Sequence, residues 1–169
     1  RGDPREARID WCSVYDIEEV GLSCLLGLWK SNNKGGGIMG LLEVNQIKSK
    51  LKEEYSGFID LSDINTRDEE EFEKYFLTRS LAAFSINILY PYVEKEAICK
   101  NIVDGSDDNG IDLIYYNKES NELCLVQSKF NHKGDSEPEL GEIKKFVDGV
   151  RDLINLKFDK FNKKVNEMR

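Results

Sequence analysis

The sequence predicts an α/β chain of the α+β kind, built around a β-hairpin flanked by helices. Three observations carry that expectation. Apolar residues recur at helical spacing in three separate stretches, near residues 41–55, 72–88 and 140–154. Two alternating runs, residues 111–116 and 122–130, flank a turn-rich break at Asn117–Asn121. The 169 residues are 40% hydrophobic and 33% charged, a balance that suits one packed core rather than disorder.

Residues 1–30 read as a charged lead-in followed by a short amphipathic helix, roughly Ile17 to Trp29. The apolar stretch Leu22–Trp29 is interrupted by Ser23 and Gly27 and is far shorter than the ~20 residues that cross a bilayer. The first twenty residues are too rich in Arg, Asp and Glu for a signal peptide. The expectation is a cytoplasmic protein with no membrane partner. SNNKGGG at 31–37 has the composition of a flexible linker and stands directly ahead of Met39. It fits a fusion junction with the native start at Met39, and equally a natural surface loop. The expected division is residues 1–38 as an N-terminal extension and linker, and 39–169 as one domain.

From Gly40 the pattern becomes helical. Leu41, Leu42, Val44, Ile47 and Leu51 predict a helix to about Tyr55, broken by Gly57. Thr66 to Asp68 offer N-cap chemistry, and Glu69, Glu70 and Glu71 place negative charge where a helix dipole favours it. Phe72, Phe76, Leu77, Leu81, Phe84 and Ile88 mark the buried stripe of a long helix over about 67–89, which Pro91 ends. Glu94 to Lys100 reads as a short helical turn and Ile102-Val103 as a short strand, followed by the loop DGSDDNG. After the hairpin comes a second exposed loop, HKGDSEPELG. A helix then starts at about Leu140, with Ile143, Phe146, Val147, Val150 and Ile154 on one face, and the basic tail from Lys157 is expected to be helical.

Composition removes several chemistries. Cys12, Cys24, Cys99 and Cys124 form no CxxC pair and read as reduced core thiols of a cytosolic protein. His132 is the only histidine, which mostly excludes Ser-His-Asp, Cys-His and HExxH arrangements. A net charge of −8 argues against a surface generally committed to phosphate. It leaves room for a metal site, which needs carboxylates, and for local clusters of basic residues.

Strand alternation puts Gln127 and Lys129 on the face of Leu123 and Leu125. With a turn near Glu119 or Ser120, Asp112 lies opposite residues 126–128, so that Asp112, Gln127 and Lys129 converge at one end of the hairpin. Such a set suits phosphodiester hydrolysis. A carboxylate binds a hard cation such as Mg²⁺, and the glutamine carbonyl is a weaker, neutral ligand. The cation polarises the phosphoryl group, while lysine orients or deprotonates a water and offsets developing charge. Gly110, two residues before Asp112, permits a close turn.

The pattern D-x-G-I-D, a short hairpin and V-Q-S-K resembles the PD-(D/E)xK nuclease superfamily in its Mrr-like QxK variant. The longer string VDGSDDNGIDLIYYNKESNELCLVQSKF, with RSLAAFSI before it and ELGEIKKFVDGVRDLI after it, is similar to the N-terminal domain of abortive infection phage resistance proteins. The resemblance spans about residues 60–155. It implies a restriction-endonuclease-like core with a central mixed sheet, and Mg²⁺-dependent cleavage of DNA in antiphage defence, with Mn²⁺ as a substitute ion. By position it implies Asp112 as the metal aspartate, Gln127 as the ligand from the second strand, and Lys129 as the catalytic lysine. Glu73, after Phe72, takes the place of the acidic residue on the first helix, with Glu70 one turn away as the alternative, and Asp104 and Asp108 that of an outer shell. Lys144, Lys145, His132 and Lys133 are candidate phosphate contacts. Cutting both strands would suit a homodimer. The residues named do not separate DNA from RNA. Gln127 stands where the superfamily usually has Asp or Glu, which weakens metal binding. The same fold serving as a catalytically weak binding or assembly module is therefore the rival expectation. Full-length members of this family are much longer, so a substrate-gripping or sensing portion is expected outside this sequence.

Overall fold

The structure is a computed structural model. It describes residues 12–18 and 21–26 as backbone strands, and residues 41–133 and 138–168 in full. The Gly-rich stretch 31–37, the boundary at Met39 and the tip of the loop at 134–137 lie outside the described residues.

Two strands open the described chain, β1 (Cys12–Glu18) and β2 (Gly21–Leu26). This corrects the helix expected over Ile17–Trp29. Ser13–Ile17 carries Val14, Tyr15 and Ile17, which suit a pleated surface, and Gly21 disfavours a helix interior. Three helices follow: α1 (Leu41–Tyr55), α2 (Glu69–Leu89) and α3 (Lys95–Cys99). Next is the hairpin, β3 (Leu113–Asn117) and β4 (Glu122–Ser128). The chain closes with α4 (Leu140–Ile154), a 3-10 turn over Phe158–Lys160 and α5 (Lys163–Glu167). The tail is therefore two short pieces rather than one helix. Among the described residues no helix is long and apolar enough to cross a membrane.

The strand order is β2-β1-β4-β3, and each described pairing is antiparallel. The mixed sheet that the resemblance implies is not what these pairings form. The expected strand at Ile102-Val103 reduces to one bridge, Ile102 to Leu113. Its backbone is engaged elsewhere: Ile102 N–H donates to Cys99 O at the end of α3, and Val103 N–H donates to Asp112 O.

Alternation along the hairpin feeds two cores. Leu113, Cys124 and Val126 pack with α1, α2 and α3 around Leu51, Leu77 and Ile86. Leu125 packs on the opposite side with Phe146 and Val150 of α4 and with Phe161 and Val165 of the tail. Each fully buried Leu or Phe here is worth about 1.5–3 kcal/mol, so helical packing on both faces holds the hairpin in place. The middle of α2 also grips β4 through polar bonds. Ser128 Oγ donates to Thr78 O at 2.8 Å, and Phe130 N–H donates to Thr78 Oγ1 at 3.3 Å. At its start, α2 is capped by Asp68, whose carboxylate accepts from the N–H groups of Glu70 and Glu71.

The loop ahead of β3 and helix α4 touch backbone to backbone. A Cβ on Gly149 would lie 2.1 Å from Asn109 O, whereas one on Gly141 would meet nothing within 4 Å. Gly149→Ala is therefore expected to cost about 2–3 kcal/mol in urea unfolding, while Gly141→Ala stays neutral or gains up to about 1 kcal/mol. Equal stability of the two variants would show that α4 does not press on the loop.

Candidate metal centre

The loop Asp104–Asp112 is wound around one of its own carboxylates. Asp108 Oδ1 accepts Gly110 N–H at 2.7 Å, Asp108 Oδ2 accepts Gly105 N–H at 3.3 Å, and Asp108 O accepts Ile111 N–H at 3.1 Å. Asp107, Asn109 and Gly110 take left-handed backbone angles, with φ of 58°, 54° and 81°. Asp, Asn and Gly are the residues that adopt this region at least cost. Gly110 has a second reason to lack a side chain, because a Cβ there would sit 2.9 Å from Phe146 N in α4.

At Asp112 the β ladder changes partners. Its N–H still donates to Val126 O at 2.7 Å, but its carbonyl turns to accept Val103 N–H at 2.8 Å and Asp104 N–H at 3.0 Å. Its carboxylate accepts Ser128 N–H instead, at 2.5 Å. The strand thus ends by stitching the loop to β4, and the outcome is a group of three acids. Ligand oxygens of Asp104, Asp108 and Asp112 all lie within 4.8 Å of one another. An all-carboxylate donor set suits a hard, oxygen-seeking cation rather than a thiolate-seeking ion.

Burial pushes the Asp112 carboxyl well above the usual carboxylate range. The neighbouring charge of Asp104 adds to this, the Ser128 N–H bond works against it, and Asp108 raises it further. Asp104 has a different environment. Its Oδ2 accepts Arg79 Nε at 2.7 Å, and its backbone oxygen accepts Arg79 Nη2 at 3.1 Å. Arg79 also forks onto Asp63, at 2.7 and 2.8 Å, and reaches Asp60 O. The Arg79 side chain is 0% exposed. Burial opposes its charge, yet the bonds to Asp63 and Asp104 raise its pKa. The guanidinium in turn holds Asp63 far below the ordinary carboxylate range. From the far side the tail braces the same loop. Asn162 donates its N–H to Asp107 O and its side-chain amide to Val103 O, both at 2.8 Å, and Lys164 reaches Asp63 and Asp104 O at 3.2 Å.

The residues expected from the sequence divide into two groups. Leu113 pairs with Val126, so Asp112 and Gln127 are the next residues on the two strands and meet at the hairpin end. Gln127 is partly buried, and its amide donates to Glu142 O of α4 at 3.5 Å. Lys129 forms an ion pair with the Glu142 carboxylate. Lys145, three residues further along α4, binds Asp108 at 2.8 Å. Residues three apart share a helix face, so Lys129 and the aspartates flank the same turn of α4.

Glu73 falls outside this group. Its carboxylate is held by Lys48 and Lys52 of α1, which keep its pKa low, and the acid grouped with Asp112 and Asp108 is Asp104. Helix α2 sends the buried cation Arg79 to the site instead. Lys144 is exposed on α4, and His132 and Lys133 are exposed after β4, with the His132 ring edge-on to Phe130. Arg79 and Asp63 were not expected from the sequence. The available signal was an arginine placed inside the apolar run FLTRSLAAF.

The raised Asp112 pKa has a definite sign. The folded state binds the proton more tightly than the unfolded chain. The associated stability is thus full below the unfolded carboxylate pKa and is lost as pH rises through the folded value. Asn at this position keeps an acceptor for Ser128 N–H and removes the buried charge. Without divalent ions, Asp112→Asn is expected to be more stable than the wild type at pH 8, on the order of 1 kcal/mol, with a smaller difference at pH 5. Urea unfolding at the two pH values checks this, and a variant less stable at both overturns it.

No family model matches this chain, and no curated protein or solved structure matches it either.

Proposed function

We propose that this domain is a metal-dependent endonuclease of the PD-(D/E)xK type, in the Mrr-like QxK form, cleaving DNA phosphodiester bonds in antiphage defence. The observation that supports it best is the cluster of Asp104, Asp108 and Asp112 at the end of the hairpin that carries Gln127, beside the turn of α4 where Glu142 holds Lys129 and Lys145 reaches Asp108. On this reading Asp104, Asp108 and Asp112 hold Mg²⁺ or Mn²⁺, with the Gln127 carbonyl as a neutral donor beside them. The bound ion supplies Lewis-acid polarisation of the phosphoryl oxygen and lowers the pKa of a coordinated water. Lys129, steered by Glu142, orients the attacking water and offsets charge on the phosphate. Lys144, Lys145, His132 and Lys133 supply backbone contacts at the rim.

One set of contacts favours a second reading, a nuclease-fold module with weak metal loading. Lys129 is tied to Glu142 and Asp108 to Lys145, so both the expected lysine and one carboxylate already have partners. A plasmid-nicking assay with Mg²⁺ or Mn²⁺ separates the two. The endonuclease reading expects nicking that needs the ion, falls at least about 100-fold in Asp112→Ala and Lys129→Ala, and stays within about threefold in Glu73→Gln. A single-stranded RNA substrate run in parallel reports whether DNA is the preferred polymer. Equal nicking by all variants, or none by the wild type, overturns the endonuclease reading.

A further inference from the structure

Asp108 is the most tightly held of the three aspartates, and one of its partners is a side chain open to water. Its Oδ1 accepts both Gly110 N–H, at 2.7 Å, and the Lys145 ammonium, at 2.8 Å. The Asp108 side chain is 10% exposed, whereas that of Lys145 is 56% exposed. The backbone of α4 already meets the loop at Gly110 and Gly149, so the helix has no room to move closer. The exposed lysine side chain is the part of this ion pair with solvent to move into.

A divalent ion shared by Asp104, Asp108 and Asp112 would lie about 2.0–2.6 Å from an Asp108 oxygen, closer than the ammonium lies now. Two cations on one small carboxylate repel each other, and only one of them has solvent at its back. We infer that Lys145 is the built-in counter-cation of the aspartate cluster, and that an entering divalent ion expels its ammonium from Asp108 to the exposed side of α4, where a nucleic-acid phosphate becomes its next anion. This inference rests on the metal-dependent reading above and assigns that site its regulation. The same side chain lowers cation affinity before loading and raises substrate affinity after it. Lys129, held one helical turn away by Glu142, is the neighbouring positive charge that such a phosphate would meet.

The test is Mn²⁺ binding to the full chain by calorimetry, using wild type, Lys145→Met, Lys145→Arg and Lys144→Met. Lys145→Met is expected to bind Mn²⁺ about 5–10-fold more tightly, with the other two variants within about twofold of wild type. In a Lys129→Met background that blocks turnover, adding Lys145→Met should weaken Mn²⁺-dependent binding of a short DNA duplex several-fold. Opposite signs in the two measurements are the signature of the exchange. If wild type binds Mn²⁺ and Lys145→Met binds it equally or more weakly, the counter-cation role is overturned and the metal site stands. If neither protein binds Mn²⁺, this inference and the metal-dependent reading fall together.

Discussion

A buried guanidinium allows three carboxylates to converge at the end of this hairpin. Arg79 reaches Asp63, Asp104 and the Asp60 carbonyl from the middle of α2. Taking a lone charge out of water costs several kcal/mol even after relaxation, so the buried Arg79 depends on its two paired acids, Asp63 and Asp104. The rigid fork of arginine matters, because one side chain must serve acceptors on two loops and hold both at fixed angles. A lysine, with one compact head on a flexible stem, would satisfy fewer of them. Burial above all, and then the charges of Asp104 and Asp108, raise the carboxyl pKa of Asp112.

The same loop is held by geometry on its other sides. Gly110 and Gly149 let the backbone of α4 approach, Asn162 ties down Val103 and Asp107, and the Asp112 carbonyl accepts two N–H groups from the loop. These bonds are mostly backbone to backbone or amide to backbone, and they fix the positions of the carboxylates without neutralising them. Arg79 pairs with Asp104 and Lys145 with Asp108. The site therefore joins one cation that is shut off from solvent to one that is open to it.

Much of the chain was legible because its apolar spacing is unambiguous. The helices at 41–55, 69–89 and 140–154 and the hairpin register follow from periods of 3.6 and 2, and the Asp68 cap from the acids behind it. The strands Cys12–Glu18 and Gly21–Leu26 overlap the helix that the sequence suggests over Ile17–Trp29, because a short apolar run does not separate strand from helix by period alone. The bridge at Ile102 fell short of a strand because its neighbours' N–H groups found other acceptors, a tertiary fact with no local signature. In the site, Asp112 and Gln127 were legible from pairing arithmetic. Glu73 was placed there by position in a motif, yet the lysines that hold it lie on α1, more than twenty residues away in sequence. Arg79 was hidden in an apolar stripe, and only the loops it meets explain it.

The charge balance around the cluster bears on how an acidic chain could approach a polyanion. Asp63, Asp104, Asp108 and Glu142 pair with Arg79, Lys129, Lys145 and Lys164, so four acids face four cations around the cluster. A divalent ion would add two positive charges to that neighbourhood. At the ~8–10 Å screening lengths of ordinary salt, a phosphate responds to this neighbourhood and hardly at all to the −8 of the whole chain. The low isoelectric point is thus compatible with a nucleic-acid substrate, provided that cation loading comes first. Affinity for the polymer would then depend on the metal as much as catalysis does, which couples recruitment to readiness at a single turn of α4.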